Sequence, residues 1–389
     1  AFTVGFRQAG YDETGEATGF ARFLGLDARV IRVDEPALDY SYPLAVEASE
    51  LVQPYTNGAA KWWLSRFARE HVQGVLTGDG ADELLCGYPS FRYANWWKHV
   101  LRKRGRRSGA GAIAELLGET PLGSLPVDAL YVRRFAAHTA NPWLAGSSAE
   151  GRGDDFVESL EVLGVQHPLF GQIRTMTESL LGEAPAREWL RSQAESVRSW
   201  FGAGVERADT KLADPLYALL LWQNYFVKTH LPVLVLNWVG DRMEMANTLE
   251  GRTPFLSNRL RRLIRAQPDR ALVLGLRDKV ILRRTYRRLL PHRFVATPKR
   301  QFNAPLLSSQ RLIDDFDTDG VLERADLGAA TGFRALRERV ERGAAADPYR
   351  QAHLGSSVQT AIALSILQRT LVEDAPLERR PEVEARYLG

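Results

Sequence analysis

The chain has 389 residues and very little sulfur: one cysteine, Cys86, and three methionines. A lone thiol excludes an internal disulfide and a cysteine-built zinc site, and it fits a reducing, cytoplasmic compartment. The seven histidines are scattered, with no H-x-x-x-H or H-E-x-x-H spacing, so no zinc-hydrolase motif is present. There is no G-x-S-x-G nucleophile elbow and no Walker G-x-x-x-x-G-K-[ST]. No apolar run approaches eighteen residues, so no membrane span is read. No basic-then-apolar segment follows Ala1, so no secretory signal is read. There is no repeat period and no sustained heptad.

What remains is an ordinary globular composition, 45% hydrophobic and 25% charged. The length predicts two lobes, or one domain with a large helical extension. The net charge of +4 is mild. "LRKRGRR" (101–107) holds much of the local excess, but the flexible "SGAGA" follows it and no aromatics are interleaved. A solvated loop explains it better than a nucleic-acid site, so nucleic acid is disfavoured as a partner. The chain opens on "AFTVGF" as if a strand were already under way, and it is expected to be the C-terminal part of something longer or a processed product.

"AFTVGF" (1–6), "ARVIRVD" (28–34) and "GVLTG" (74–78) read as strands. Residues 13–25 read as a helix with Ala17, Phe20, Phe23 and Leu24 on one stripe. Residues 43–72 read as two helices, the second carrying Trp62, Trp63, Phe67 and Val72. This alternation predicts one parallel sheet with crossover helices, whose ligands gather at the carboxyl ends of the strands. Residues 105–155 carry loop signals and 156–201 look helical, so a helical insertion is expected over about 105–200. Residues 213–250 read as apolar helix, 257–290 as very basic helix, and 310–373 as mostly helix.

Three stretches could carry chemistry. "TGDGADELLCGY" (77–88) places Gly78 and Gly80 at a strand-to-helix turn, with Asp79, Asp82 and Glu83 around them. Such a turn exposes backbone N–H groups to a phosphate, and its carboxylates would reach that phosphate through a hard cation such as Mg²⁺. A merely capped helix start explains the same residues, and both readings stay open. "DRMEMANTLEGRTPFL" (241–256) places Asp241, Arg242, Glu250 and Arg252 in an apolar helix and its exit. Structural ion pairs are the expectation for Arg242; for Glu250 and Arg252 a ligand role competes. "ATPKRQFNAPL" (296–306) holds Lys299 in a loop, after a helix crowded by Lys279, Arg283, Arg284, Arg287 and Arg288. A loop lysine beside a nucleotide can neutralise developing charge, although a solvent-exposed lysine is the commoner outcome.

Together and in this order, these stretches resemble the synthetase domain of asparagine synthetases and their relatives. The family's Ser-Gly-Glu-Gly-Ser-Asp-Glu-Leu-Phe-Gly-Gly-Tyr is matched by 77–88. Its Asp-Arg-x-x-Met-x-x-x-Leu-Glu-x-Arg-x-Pro-Phe-Leu is matched by 241–256. Its Lys-x-x-Leu-Arg, Leu-Pro and Pro-Lys-x-x-Phe are matched by "KVILRR", "LLP" and "PKRQF". The resemblance implies a parallel sheet of the ATP pyrophosphatase type, like that of adenine-nucleotide alpha hydrolases, with a large, mostly helical extension. It implies a synthetase domain over 1–310 and a C-terminal helical region over 311–389. The glutaminase domain and the Ser-Gly-Gly-x-Asp-Ser pyrophosphate loop would lie outside this chain.

The implied reaction is ATP-dependent amidation of a small-molecule carboxylate through an acyl-adenylate, with AMP and pyrophosphate released. Ammonia would come from an associated glutaminase domain or subunit. The resemblance places Val4, Gly5 and Phe6 at adenine, with Thr77, Gly78 and Gly80 at the nucleotide. It places Asp82 on Mg²⁺, Lys299 on the reacting phosphate and Asp79 near the reacting carbonyl. Tyr88, Asp241, Glu250, Arg252 and Lys279 would form the surrounding network. A homodimer is compatible with it. Asp79, Cys86, Gly251 and Ser257 stand where Glu, Gly, Ala and Asp are usual, so aspartate as substrate is not implied. The competing classes are a nucleotide-binding scaffold without turnover and a tRNA-modifying ATP pyrophosphatase. The latter would want paired cysteines.

Overall fold

A computed structural model describes residues 1–7, 11–88, 91, 226–274, 277–297, 299, 302–305, 310–324 and 348–388, plus isolated positions between 177 and 224 and at 333 and 338. The basic loop 101–107 and most of the expected insertion lie outside the described residues.

Alternating apolar residues build the first two strands. β1 (Phe2–Phe6) buries Val4 and Phe6, and β2 (Arg29–Val33) buries Ile31 and Val33. They pair in parallel, Val4 opposite Ile31. α1 (Thr14–Phe23) makes the crossover. Its inward residues are the small Thr14 and Ala21, because the helix lies close over Gly5, where a Cβ would strike the Thr14 methyl. The stripe read from the sequence faces outward instead: Phe23 and Leu24 remain 44% and 46% exposed. Phe20 and Phe23 pack on Phe294, a ring far along the chain.

α2 (Glu35–Ser49) begins earlier than the sequence implied. Asp34 caps it by accepting from the Ala37 N–H at 3.2 Å, and Pro36 sits in the first turn, where a missing N–H costs nothing. α3 (Asn57–Arg69) ends before Val72. It buries Trp62 and Trp63 completely, and Trp63 donates from its indole N–H to the Ala37 carbonyl at 2.8 Å.

β3 (Gly74–Leu76) does not extend the first sheet. It pairs in parallel with β4 (Glu250–Arg252), Val75 opposite Gly251, so the described residues form two separate two-stranded parallel sheets. This corrects two expectations, the single sheet and the placing of Glu250 and Arg252 at a helix end beside a loop. The reason for the first is long-range, the pairing of β3 with a strand far along the chain; for the second it is local. The short helix Asp241–Met245 is followed by Thr248 in the left-handed region at φ 54°, which turns the backbone out into an extended path. The segment before that helix, Phe226–Val239, is wound as a wide π-helix rather than as regular α-helix.

Two apolar clusters hold the elements. One joins β1, β2, α2 and α3 to Ile313, Phe316, Leu322, Val358, Ile362 and Ile366 of the C-terminal helices. The helices after residue 310 thus share the core of the first sheet. The second cluster packs Leu84, Leu85, Cys86 and Phe226 against Ile264, Leu272 and Val273. It lies directly behind the Gly-rich turn. Among the described residues no helix is long and apolar enough to cross a membrane.

Candidate active site

The turn after β3 is shaped by two glycines. Gly80 has φ 83°, a conformation that L side chains resist, and a Cβ there would overlap Leu256. Gly78 has nothing within 4 Å of where a Cβ would stand, so its backbone faces open space. Thr77 is anchored by its N–H on the Arg252 carbonyl at 2.8 Å. Its hydroxyl donates to Asp79 Oδ2 at 2.7 Å. Asp79 is therefore oriented by its own turn. α4 (Ala81–Leu84) then carries Asp82 and Glu83.

Asp82 is where the distant stretches meet. Lys279 Nζ lies 2.7 Å from Oδ1 and Lys299 Nζ 3.3 Å from Oδ2. All three side chains are mostly covered, 17% to 24% exposed. Burial pushes the Asp82 carboxyl upward, but the Lys299 and Lys279 ammoniums outweigh it and hold the group below its usual range. Lys299 is thus no solvent-exposed lysine. Lys279 sits in the left-handed region at φ 48°, a strained conformation for a side-chain-bearing residue, at the start of helix Val280–Tyr286. Gly87 is part of the fit, since a Cβ there would overlap both Asp82 Oδ1 and the Lys279 stem.

Arg283 positions the third stretch. Its guanidinium ion-pairs with the buried Asp278 and donates to the Val295 and Thr297 carbonyls, the latter at 2.9 Å. This ties the helix after Lys279 to the segment leading into Lys299. Beyond Lys299, Asn57 brackets the chain, donating to the Phe302 carbonyl at 3.2 Å and accepting from the Ala304 N–H at 2.8 Å. Phe302 packs near Phe6, 6.3 Å between ring centroids, which brings the end of β1 beside the lysine loop. Val4 and Phe6 themselves are core residues, so only the β1 backbone is free to meet a nucleotide.

Behind Asp82 the environment is dry. Glu83 is 1% exposed and accepts from the Tyr88 hydroxyl at 2.7 Å. Burial pushes Glu83 up to about 7, against the lowering effect of that hydrogen bond. Burial also drives Tyr88 well above its ordinary value. His230 stacks edge-on to Tyr88 and Phe226, its Nε2 has no hydrogen-bond partner among the described residues, and burial pulls it down to about 4. Tyr88 is a support for this wall. Nothing in the sequence spacing marked His230, since it reaches the site only because the π-helix packs on α4.

A cavity of about 370 Å³ opens on the other side of Asp79. It is lined by Asp79, Asn237, Asp241, Arg242, Glu244, Gly251 and Thr253, with Pro232, Leu236 and Leu256. The alternation of β4 decides membership: Gly251 faces in, whereas Glu250 and Arg252 point out, 62% and 70% exposed, and pair with each other at 2.9 Å. Those two expected site residues are therefore surface residues. Arg242 was expected in a structural ion pair; it has none among the described residues and lines the cavity. Glu244 was not singled out from the sequence. It pairs with Lys61 of α3 at 2.8 Å.

The donor set around Asp82 can be tested for Mg²⁺. Among the described residues no group of three His, Cys, Asp or Glu could hold a metal alone. Mg²⁺ is commonly held by one or two carboxylates, waters and substrate phosphates, so a single buried carboxylate flanked by ammoniums fits that use and no self-sufficient cage. Asp82 Oδ1 also makes no aligned hydrogen bond beyond its ion pair, which leaves it a free acceptor direction.

Similarity to known proteins follows the same lines. The chain is 28% identical over 324 residues to the amidase chyE of Penicillium rubens, covering 78% of this chain and 43% of that protein. It is 27% identical over 278 residues to the amidase chry2 of Gibberella zeae, covering 69% and 36%. It is 25% identical over 320 residues to a putative glutamine-hydrolysing asparagine synthetase of Mycobacterium tuberculosis, covering 78% and 41%. The chain thus spans under half the length of these relatives. The asparagine synthase family matches residues 1–363, nearly the whole sequence, and the chain belongs to that family.

Proposed function

We propose that this chain is the synthetase part of an ATP-dependent enzyme that amidates a carboxylate through an acyl-adenylate. The observation that carries the reading is the convergence on Asp82 of Lys279 and Lys299, from a separate part of the chain. On this reading the fold is of the ATP pyrophosphatase type. The synthetase unit runs over 1–310 with an insertion at about 105–200, and a glutaminase domain or subunit supplies ammonia. The names of the relatives, two amidases and an asparagine synthetase, accord with amide chemistry.

The backbone at Val4, Gly5, Phe6, Thr77, Gly78 and Gly80 would hold the nucleotide. Asp82 would hold Mg²⁺, which when bound supplies charge neutralisation at the phosphates. A substrate carboxylate attacks the α-phosphorus of ATP; the new O–P bond forms as the bond to pyrophosphate breaks. Lys299 and Lys279 stabilise the negative charge that builds on the phosphoryl oxygens, in a pocket from which most water is excluded. An amine then attacks the acyl carbon, AMP leaves and the amide remains. Asp79, held by Thr77, would accept the proton that the amine loses.

The test is Lys299→Ala and Lys299→Arg in a full-length synthetase containing this chain, with carboxylate-dependent pyrophosphate release followed. A fixed ammonium at developing charge is worth about 3 to 4 kcal/mol, or roughly a hundred- to a thousandfold in kcat. We expect kcat to fall on that scale in both variants while KM for the carboxylate moves little. A rise in KM with kcat retained would make Lys299 a ground-state binding residue instead.

A further inference from the structure

We infer that the cavity beyond Asp79 is the subsite for a primary amine, with Glu244 as its specificity-determining residue; this deepens the synthetase reading and rests on it. Three observations meet there. Three carboxylates line the cavity against one guanidinium: Asp79, Asp241 and Glu244 against Arg242. Asn237 Oδ1, from the π-helix, is buried with no hydrogen-bond partner among the described residues. Such an orphaned acceptor costs free energy unless a donor reaches it. Finally, the carboxylate of Glu244 occupies the space that a side chain at position 251 would fill, and only the glycine there admits it.

Glu244 is 3% exposed on its side chain and is backed by the Lys61 ammonium at 2.8 Å. Its Oε1 makes no hydrogen bond beyond that contact. One acceptor without a donor, Asn237 Oδ1, in a mainly acidic wall calls for a ligand that brings N–H groups and positive charge. Lys279 and Lys299 are both engaged at Asp82, which leaves Arg242 as the cation of the cavity wall, set against three carboxylates. Asp79 belongs to the turn and also to the cavity wall. The arrangement divides the reactants: anionic groups toward Asp82 and its lysines, the amine toward Glu244 and Asn237. A volume of about 370 Å³ admits a small organic amine and not only ammonia.

The experiment uses n-butylamine, n-butyrate and 1-butanol as probes at matched ionic strength, with binding followed by saturation-transfer NMR and thermal shift. AMP binding to the same samples is measured separately by calorimetry. We expect n-butylamine to bind more tightly than the other two by roughly tenfold or more, the worth of one hydrogen bond to a charged group. Glu244→Gln should remove that preference. Gly251→Ala, which pushes the carboxylate aside, and Asn237→Ala, which leaves the Lys61 pair intact, should each reduce it. If Glu244→Gln fails to fold, the other two variants carry the comparison. Equal binding of butyrate or butanol, or an amine preference indifferent to the variants, overturns the amine subsite. Loss of AMP binding in the unaltered chain would instead count against the nucleotide reading, so the two failures are distinguishable.

Discussion

Substituting Asp82 by asparagine should cost more stability than removing either lysine beside it. The Asp82, Lys279 and Lys299 cluster carries one negative and two positive charges in a place mostly shielded from water. Asp82→Asn leaves two ammoniums facing an amide of nearly the same shape. Unit charges about 4 Å apart near a protein surface interact by about 4 kcal/mol before desolvation is counted. Breaking a buried pair by removing one partner costs about 3 to 5 kcal/mol, and the partial exposure here points to the lower end, about 3. Lys279→Met is different. It keeps the stem that packs against Gly87, leaves Asp82 paired with Lys299, and removes the repulsion between the two ammoniums. Its cost should be about 1 kcal/mol or less. Urea unfolding followed by circular dichroism, without added Mg²⁺, measures both. Sodium pyrophosphate should raise the midpoint of Asp82→Asn more than that of the unaltered chain, because the variant has two ammoniums without a counter-charge. A cost for Asp82→Asn below about 1 kcal/mol, or below that of Lys279→Met, would refute the electrostatic account of the site.

Stability between pH 4.5 and 6.5 should be nearly flat in the unaltered chain, because two buried groups oppose each other. Glu83 is raised from 4.5 to about 7, so its contribution is present at low pH and lost as pH rises through 7; His230 is lowered from 6.5 to about 4, so its contribution is present above 6.5 and lost as pH falls through 4. Each is worth about 3 kcal/mol. Glu83→Gln keeps an acceptor for Tyr88 and should expose the His230 term, as a fall of about 2 to 3 kcal/mol from pH 6.5 to 4.5 in urea titrations; an equally flat profile would contradict it. Gly87→Ala should destabilise by about 1 to 3 kcal/mol through overpacking, and a thermal midpoint within a degree of the unaltered chain would show that the turn can yield.

Much of this was legible in the chain order of residues, and for local reasons. β1, β2 and the existence of the two helices after them follow from side-chain period, whereas the start of α2 at the Asp34 cap was missed because Asp34 was read as the end of the strand. The turn at 77–83 was legible as a turn because glycines mark where the backbone must go, while its carboxylates suited a capped helix start equally well. Lys299 was legible from its motif, although its contact with Asp82 spans more than two hundred residues of separation and cannot be read from local propensity. Tertiary structure alone decided the rest. Whether β3 joins β1 or β4 depends on long-range pairing, and the period-2 alternation of β4 then sends Glu250 and Arg252 outward while Gly251 turns in. The stripe on α1 lost its place to Thr14 and Ala21 because only small residues fit over Gly5. Glu244 and His230 became site residues through the packing of the short helix Asp241–Met245 and the π-helix against their neighbours, a consequence of which faces meet rather than of any spacing along the chain.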